Sequence, residues 1–120
     1  MKYDSQVRDP GIPKDAYLVI NNQVVPILRR HTRIGRKLDN DLVIQDAMVS
    51  REHAKILFED GQFTVYDLGS TGGTFLNTKK VDKAKILNGD ELCFSNVLVT
   101  FMTNSPDMER HADKSTGRLA

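Results

Sequence analysis

Tryptophan is absent from this 120-residue chain, and cysteine occurs once, as Cys93. A single cysteine excludes a disulfide framework and a zinc knuckle. Its setting, Glu91-Leu92-Cys93-Phe94, reads as that of a small buried hydrophobe in a reducing compartment. Long apolar runs are missing too. No stretch approaches the roughly 18 residues that a membrane span needs, and residues 1–13 lack the apolar segment of a secretion signal. A soluble, unprocessed, cytoplasmic protein is expected. Charge of one sign is not in excess either, with 17 basic against 16 acidic side chains and a net charge of +1. No global field therefore draws the chain to nucleic acid or to an anionic membrane. Its three tyrosines are far apart and form no aromatic platform for single-stranded nucleic acid. His31, His53 and His111 have no ligand spacing, so neither a metal nor another cofactor is expected.

What the chain does have is a succession of short apolar runs, rich in β-branched residues and separated by turn residues. Ala16 to Ile20 and Val24 to Leu28 flank Asn21-Asn22-Gln23, while His53 to Phe58 and Phe63 to Leu68 flank Glu59-Asp60-Gly61-Gln62. The Asp60-Gly61 pair signals a two-residue hairpin, because both central positions of that turn need φ > 0. Further runs stand at Thr32 to Gly35, Leu42 to Ile44, Lys80 to Val81, Lys85 to Leu87, Glu91 to Phe94 and Val97 to Met102, with Asn88-Gly89 and Ser95-Asn96 as turns. Ten or eleven short strands in one domain of this length imply an all-β fold, a two-sheet β-sandwich with its functional loops at the sheet ends. Ala54, Ile56 and Phe58 should face the core, with Phe63 and Val65 opposite them across the hairpin. The folded domain is expected over residues 16–103, between a flexible leader at 1–15 and a flexible tail at 104–120.

Three turn-prone segments carry the residues that an anion wants. Gly35-Arg36 follows the strand Thr32-Arg33-Ile34 and puts a guanidinium at the rim, with Lys37 beside it and Asp39, Asn40 and Asp41 as loop-capping residues. Ser50-Arg51-Glu52-His53 offers a hydroxyl and a second guanidinium. A serine and a histidine three apart invite a nucleophile reading, but no small-residue elbow surrounds Ser50 and no carboxylate is evident to orient the imidazole. His53 reads instead as a ring that braces the loop. The third segment, Asp67-Leu68-Gly69-Ser70-Thr71-Gly72-Gly73-Thr74, offers the Thr71 hydroxyl and backbone N–H groups at a glycine turn. It matches neither the nucleotide-loop nor the dinucleotide glycine pattern, and no amphipathic helix follows it. Catalytic residues are therefore not expected.

In order, Gly35-Arg36, Asn40-Asp41, Ser50-Arg51-x-His53 and Asp67-Leu68-x-Ser70-Thr71-x-Gly73-Thr74-x-x-Asn77 resemble the forkhead-associated (FHA) domain, over about Tyr17 to Met102. That resemblance implies an eleven-stranded sandwich that binds phosphothreonine peptides through loops at one end. By position it assigns Arg36 and Ser50 to phosphate oxygens, Thr71 to the phosphothreonine pocket and Arg51 to phosphate or peptide backbone. It assigns Gly35, His53, Gly73 and Asn77 to loop geometry. Where the family usually has a peptide-binding asparagine, this chain has Gly72, which should reshape peptide binding. The implied partner is a phosphothreonine-containing protein, a Ser/Thr kinase substrate or the kinase itself. An FHA scaffold that binds its partner independently of phosphate is the alternative. Self-binding of a phosphorylated leader is not supported, since residues 1–15 hold Ser5 but no threonine, which leaves Thr116 in the tail.

Overall fold

The computed structural model describes residues 7–105 together with Met108 and Glu109. Ser5, His111 and Thr116 lie outside the described residues. Eleven strands run in chain order as β1 (Tyr17–Ile20), β2 (Gln23–Pro26), β3 (His31–Gly35), β4 (Leu42–Val43), β5 (Ala54–Glu59), β6 (Gln62–Asp67), β7 (Thr74–Leu76), β8 (Lys79–Val81), β9 (Lys83–Ile86), β10 (Glu91–Phe94) and β11 (Val97–Met102). They form a six-stranded sheet in the order β2-β1-β11-β10-β7-β8 and a five-stranded sheet in the order β4-β3-β5-β6-β9. Every pairing is antiparallel except β3 with β4. Among the described residues no helix is long and apolar enough to cross a membrane.

Local chemistry fixes the hairpins. Asp60 and Gly61 have φ values of 53° and 75° and join the paired residues Glu59 and Gln62, as the sequence requires. Asn21-Asn22 and Asn77-Thr78 make the same turn, with φ values of 50°, 64°, 47° and 75°. Asparagine enters this left-handed region at low cost, whereas the β-branched Thr78 is held there by the pairing on either side.

Period-two alternation then builds the core between the sheets. Leu18, Ile20, Leu92, Phe94, Val99 and Phe101 come from one sheet, and Ile34, Ala54, Ile56, Phe58, Phe63, Val65 and Ile86 from the other; all are buried. Ile56 pairs with Val65 and Phe58 with Phe63. Phe63 lies tilted against Phe58 with ring centroids 4.7 Å apart and meets Phe101 of the opposite sheet edge-on at 5.1 Å, which ties the two layers together.

Two features differ from the sequence expectation. Cys93 is only half-buried, because Leu92 and Phe94 take the inward positions of β10 and the thiol falls on the outer face. The packed core also reaches past residues 16–103, since Ile12 and Met108 are both buried within it. Leu28 O accepts the Asp9 N–H, and Asp9 Oδ2 accepts the Arg30 N–H at 2.8 Å, so residues 9–12 are laced to the chain after β2. Ile12→Ala should therefore lower the unfolding free energy by about 2–4 kcal/mol in urea denaturation. A change below about 0.5 kcal/mol, the range of surface substitutions, would place this segment outside the cooperative fold.

Candidate functional site

Because β3 ends where β5 begins and β6 ends, the segments after β3, before β5 and after β6 meet at one end of the sandwich. The first two run side by side: Ser50 O accepts the Arg36 N–H at 3.0 Å, and Arg51 O accepts the Lys37 N–H at 3.2 Å. Gly35 permits this approach. A Cβ there would lie 2.2 Å from the Arg51 carbonyl oxygen, a backbone atom that cannot yield. Its role is thus close contact between the first two loops. Asn40 Nδ2 secures the same corner, donating to Lys37 O at 3.0 Å and Arg51 O at 2.9 Å. Asp41 caps it by accepting the Arg33 N–H at 2.8 Å.

His53 joins the second segment to the third. The ring is fully buried, its Nδ1 accepts the Ser50 N–H at 3.1 Å, and its Nε2–H donates to Gly73 O at 2.9 Å. Phe94 closes over it edge-on at 5.7 Å. Both ring nitrogens are thus committed to backbone groups. Neither is hydrogen-bonded to Ser50 Oγ, so His53 is not placed as a general base for that serine.

The third segment is organised by Asp67, which sequence reasoning missed. Its Oδ1 accepts from Ser70 Oγ at 2.6 Å and Thr74 Oγ1 at 2.7 Å, and its Oδ2 accepts the N–H groups of Gly69 and Ser70 at 3.0 Å each. Ser70 Oγ in turn accepts the Gly73 N–H at 2.9 Å. Burial alone would raise the Asp67 carboxyl, but the bonds from Ser70, Thr74 and Gly69 outweigh it and hold the pKa below its ordinary 3.8. The Asp-x-Gly-Ser spacing, a side chain capping N–H groups two and three residues on, is the local signal that could have found it.

The expected binding residues converge. Arg36, Ser50, Arg51 and Thr71, with Lys37 and Glu52, line one hollow of about 640 Å³. Arg36, Ser50, Thr71 and Gly72 also line a smaller one of about 270 Å³ with Met48 and Val49. Arg36 Nε donates to Val49 O at 2.9 Å, which fixes the guanidinium plane, while its terminal amino groups have no partner among the described residues. Ser50 Oγ accepts the Thr71 N–H at 3.1 Å, so its own proton is left to donate outward. Arg51 is exposed at the rim, and Lys37 Nζ is balanced by Glu52 at 3.3 Å. Gly73, at φ 86°, turns the chain back into β7. Asn77 stabilises a different place: at the far end of β7 its side chain accepts the Glu91 N–H at 2.9 Å and donates to Asp90 Oδ1 at 3.0 Å. Among the described residues no cluster of three or more His, Cys, Asp or Glu side chains is placed to hold a metal ion.

Gly72 is constrained from the side. A Cβ at this position would lie 2.4 Å from Ser95 Oγ and 2.7 Å from Ser95 Cβ. The serine of the β10–β11 turn thus occupies the room that a side chain at 72 would need, and restoring an asparagine there would displace it.

Comparison with known proteins places this geometry. The sequence profile of the family described as FHA domain matches residues 32–95. Glycogen accumulation regulator GarA of Mycobacterium tuberculosis is 40% identical over 86 residues, 72% of this chain and 52% of GarA. The chain thus spans about half the length of the curated relatives it matches. A structure of Mycobacterium tuberculosis EmbR in complex with a low-affinity phosphopeptide superposes with a TM-score of 0.71 at 29% identity, over 75% of this chain and 25% of EmbR. The FHA domain of MEK1 in complex with a phosphothreonine peptide of HOP1 gives 0.65 at 26% identity, over 75% of this chain and 97% of that domain.

Two outcomes test these loop contacts. Asp67→Asn should cost about 1–3 kcal/mol at neutral pH, because an amide cannot accept all four bonds. Since the carboxyl's folded pKa is lowered, its contribution is complete above about pH 5 and is lost as the pH falls through 3.8 and then through the lowered value. The difference between wild type and variant should accordingly shrink in acid denaturation; a constant difference would remove the assigned charge. Gly72→Ala should destabilise by about 1–3 kcal/mol through overpacking. Adding Ser95→Gly, which also suits the φ of 59° at that position, should recover most of the loss in thermal melts. Simple additivity would show that the two positions do not compete.

Proposed function

This chain belongs to the FHA domain family, and we propose that it is a non-catalytic module that binds phosphothreonine in a partner protein, as a signalling adaptor. The observation that carries the proposal is the convergence of Arg36, Ser50 and Thr71 from three loops on one open hollow. The Arg36 N–H is bound to Ser50 O and the Thr71 N–H to Ser50 Oγ, while the terminal nitrogens of Arg36 and the proton of Ser50 stay uncommitted. A phosphate monoester brings about −1.5 to −2 charges and three strong acceptors. Arg36 offers it a fork of free N–H groups, Ser50 an O–H, and Arg51 an exposed cation for phosphate or peptide backbone. Charge-assisted bonds contribute about 1.5–3 kcal/mol each, so two or three supply about 3–9 kcal/mol before ordering costs, and contacts to the rest of the peptide must supply the remainder of a micromolar affinity. The phosphopeptides held by the similar EmbR and MEK1 domains support the same assignment.

The partner is then a substrate of a Ser/Thr kinase, or the kinase itself. Hydrolysis through Ser50 and His53 has no support, because the imidazole nitrogens are spent on Ser50 N–H and Gly73 O. A reducing cytoplasm suits the one thiol, Cys93, whose pKa is pushed up by burial and by Glu91. The site comprises Arg36, Ser50, Arg51, Thr71 and Gly72, with Gly35, His53 and Gly73 shaping it and Asn77 supporting β7 from the opposite end. The independently folded unit is proposed to extend from about Asp9 through the segment at Met108, given the burial of Ile12 and Met108.

Arg36→Ala should weaken binding of a phosphothreonine peptide by about 2–5 kcal/mol, since it removes one half of a paired charge. Calorimetric titration of wild type and variant with phosphothreonine, phosphoserine and unmodified peptides checks this. Equal binding of modified and unmodified peptides would instead identify a phosphate-independent scaffold.

A further inference from the structure

The outer face of the five-stranded sheet carries a cationic row. Arg33 pairs with Lys55, Lys55 with Tyr66 and Tyr66 with Lys83, so four side chains stand in line across β3, β5, β6 and β9. Lys85 projects from the same face two residues further along β9. Their neighbours Ile34, Ala54, Val65 and Ile86 are buried in the core. Single exposed lysines need no explanation, but like charges set directly opposite on a sheet, as Arg33 and Lys55 are, weaken the pairing. Here the charges are also gathered. The Lys55 and Lys83 ammonium groups lie 5.2 Å and 5.5 Å from the centroid of the one Tyr66 ring, which draws both by cation–π attraction. Tyr66 is itself fixed, since its hydroxyl donates to Glu59 Oε2 at 2.7 Å. Arg33 has a carboxylate partner, Asp41, at 3.5 Å, whereas Lys55, Lys83 and Lys85 have none within ion-pair distance among the described residues.

We propose that this row is a second binding surface, separate from the phosphate loops, and that it takes a short acidic segment of a partner protein. Two ammonium groups drawn to one ring repel each other until a carboxylate joins them, so the face is complementary to negative charge before any partner arrives. Neighbouring strands lie about 4.8 Å apart, which spreads the row over about 15 Å, the length of four or five extended residues at about 3.3 Å each. Glutamate or aspartate at alternate positions of such a segment would all face the sheet. A nucleic acid or an anionic bilayer, whose charge is continuous, would instead meet the carboxylates of Glu59 and Asp41 beside the row. Each exposed ion pair contributes a factor of up to about five, so three favour an acidic over an uncharged segment by about tenfold or more, and salt screens the gain.

The test uses the 120-residue chain and a labelled peptide of alternating glutamate and alanine, with its glutamine counterpart as the uncharged control. Binding is read by fluorescence anisotropy at low and high salt for three proteins. These are wild type, the double variant Lys55→Gln with Lys83→Gln, and the double variant Lys79→Gln with Lys80→Gln, which removes the same charge from β8 of the other sheet. Wild type at low salt should prefer the glutamate peptide about tenfold. That preference should fall to about twofold or less in the first variant and at high salt, and should persist in the second, with thermal melts unchanged in both. A saturating phosphothreonine peptide should leave the acidic peptide in place. Equal losses in the two variants, no preference for glutamate, or displacement by the phosphopeptide overturns the proposal, as does binding of duplex DNA or phosphatidylserine vesicles in place of the peptide. Because the probe carries no phosphate, it reads this face whatever the outcome at Arg36.

Discussion

A single buried imidazole sets the spacing of the binding end. His53 takes the N–H of Ser50 on one side and gives its own N–H to the carbonyl of Gly73 on the other, so the second and third loops cannot move apart without stranding polar groups in the core. A buried donor or acceptor left without a partner costs about 1–3 kcal/mol, and this ring would strand two. Around it the chain adds fixed points in both directions. Asp67 and Ser70 close the third loop onto β7, and the carbonyls of Ser50 and Arg51 draw in the first. The loops are therefore bound to one another as well as to the sheet ends beneath them.

That arrangement explains how so small a domain can present several donors at once. Gathering a guanidinium, a hydroxyl and a backbone turn around an anion would normally require ordering three flexible segments at the moment of binding. Here the ordering is done during folding, supported by the aromatic contact between Phe63 and Phe101 that joins the two sheets. What stays uncommitted is the outward part of each side chain: the terminal nitrogens of Arg36, the proton of Ser50 and the exposed Arg51. The imidazole of His53, three residues from Ser50, is spent on the Ser50 N–H and the Gly73 carbonyl, so its role is to hold the loops together.

The sandwich was legible because its rules are local. Alternation in Ala54, Ile56 and Phe58 and the Asp60-Gly61 turn each specify a strand face or a reversal within a few residues, and the structure follows them. The outer location of Cys93 was less evident, since the parity of a short apolar run such as Leu92-Cys93-Phe94 is decided only by the partner strands. At the site, Arg36, Ser50, Thr71 and His53 could be picked out by residue type and order. The reason Gly35 is glycine could not, because it lies in a carbonyl sixteen residues later in the chain. The competition between Gly72 and Ser95 is hidden for the same reason. Asp67 was visible in the motif, but its four bonds emerge only when Ser70 and Thr74 fold back upon it.

The central claim is that one phosphothreonine is held jointly by the three loops gathered around His53. Amide chemical-shift mapping in solution tests it most directly, with a phosphothreonine peptide and its unmodified twin added in turn to the labelled chain. Saturable shifts concentrated at the N–H groups of Arg36, Ser50, Arg51, Thr71 and Gly72, produced by the phosphorylated peptide alone, are the predicted result. Shifts confined to the sheet faces, or identical for both peptides, would contradict the account.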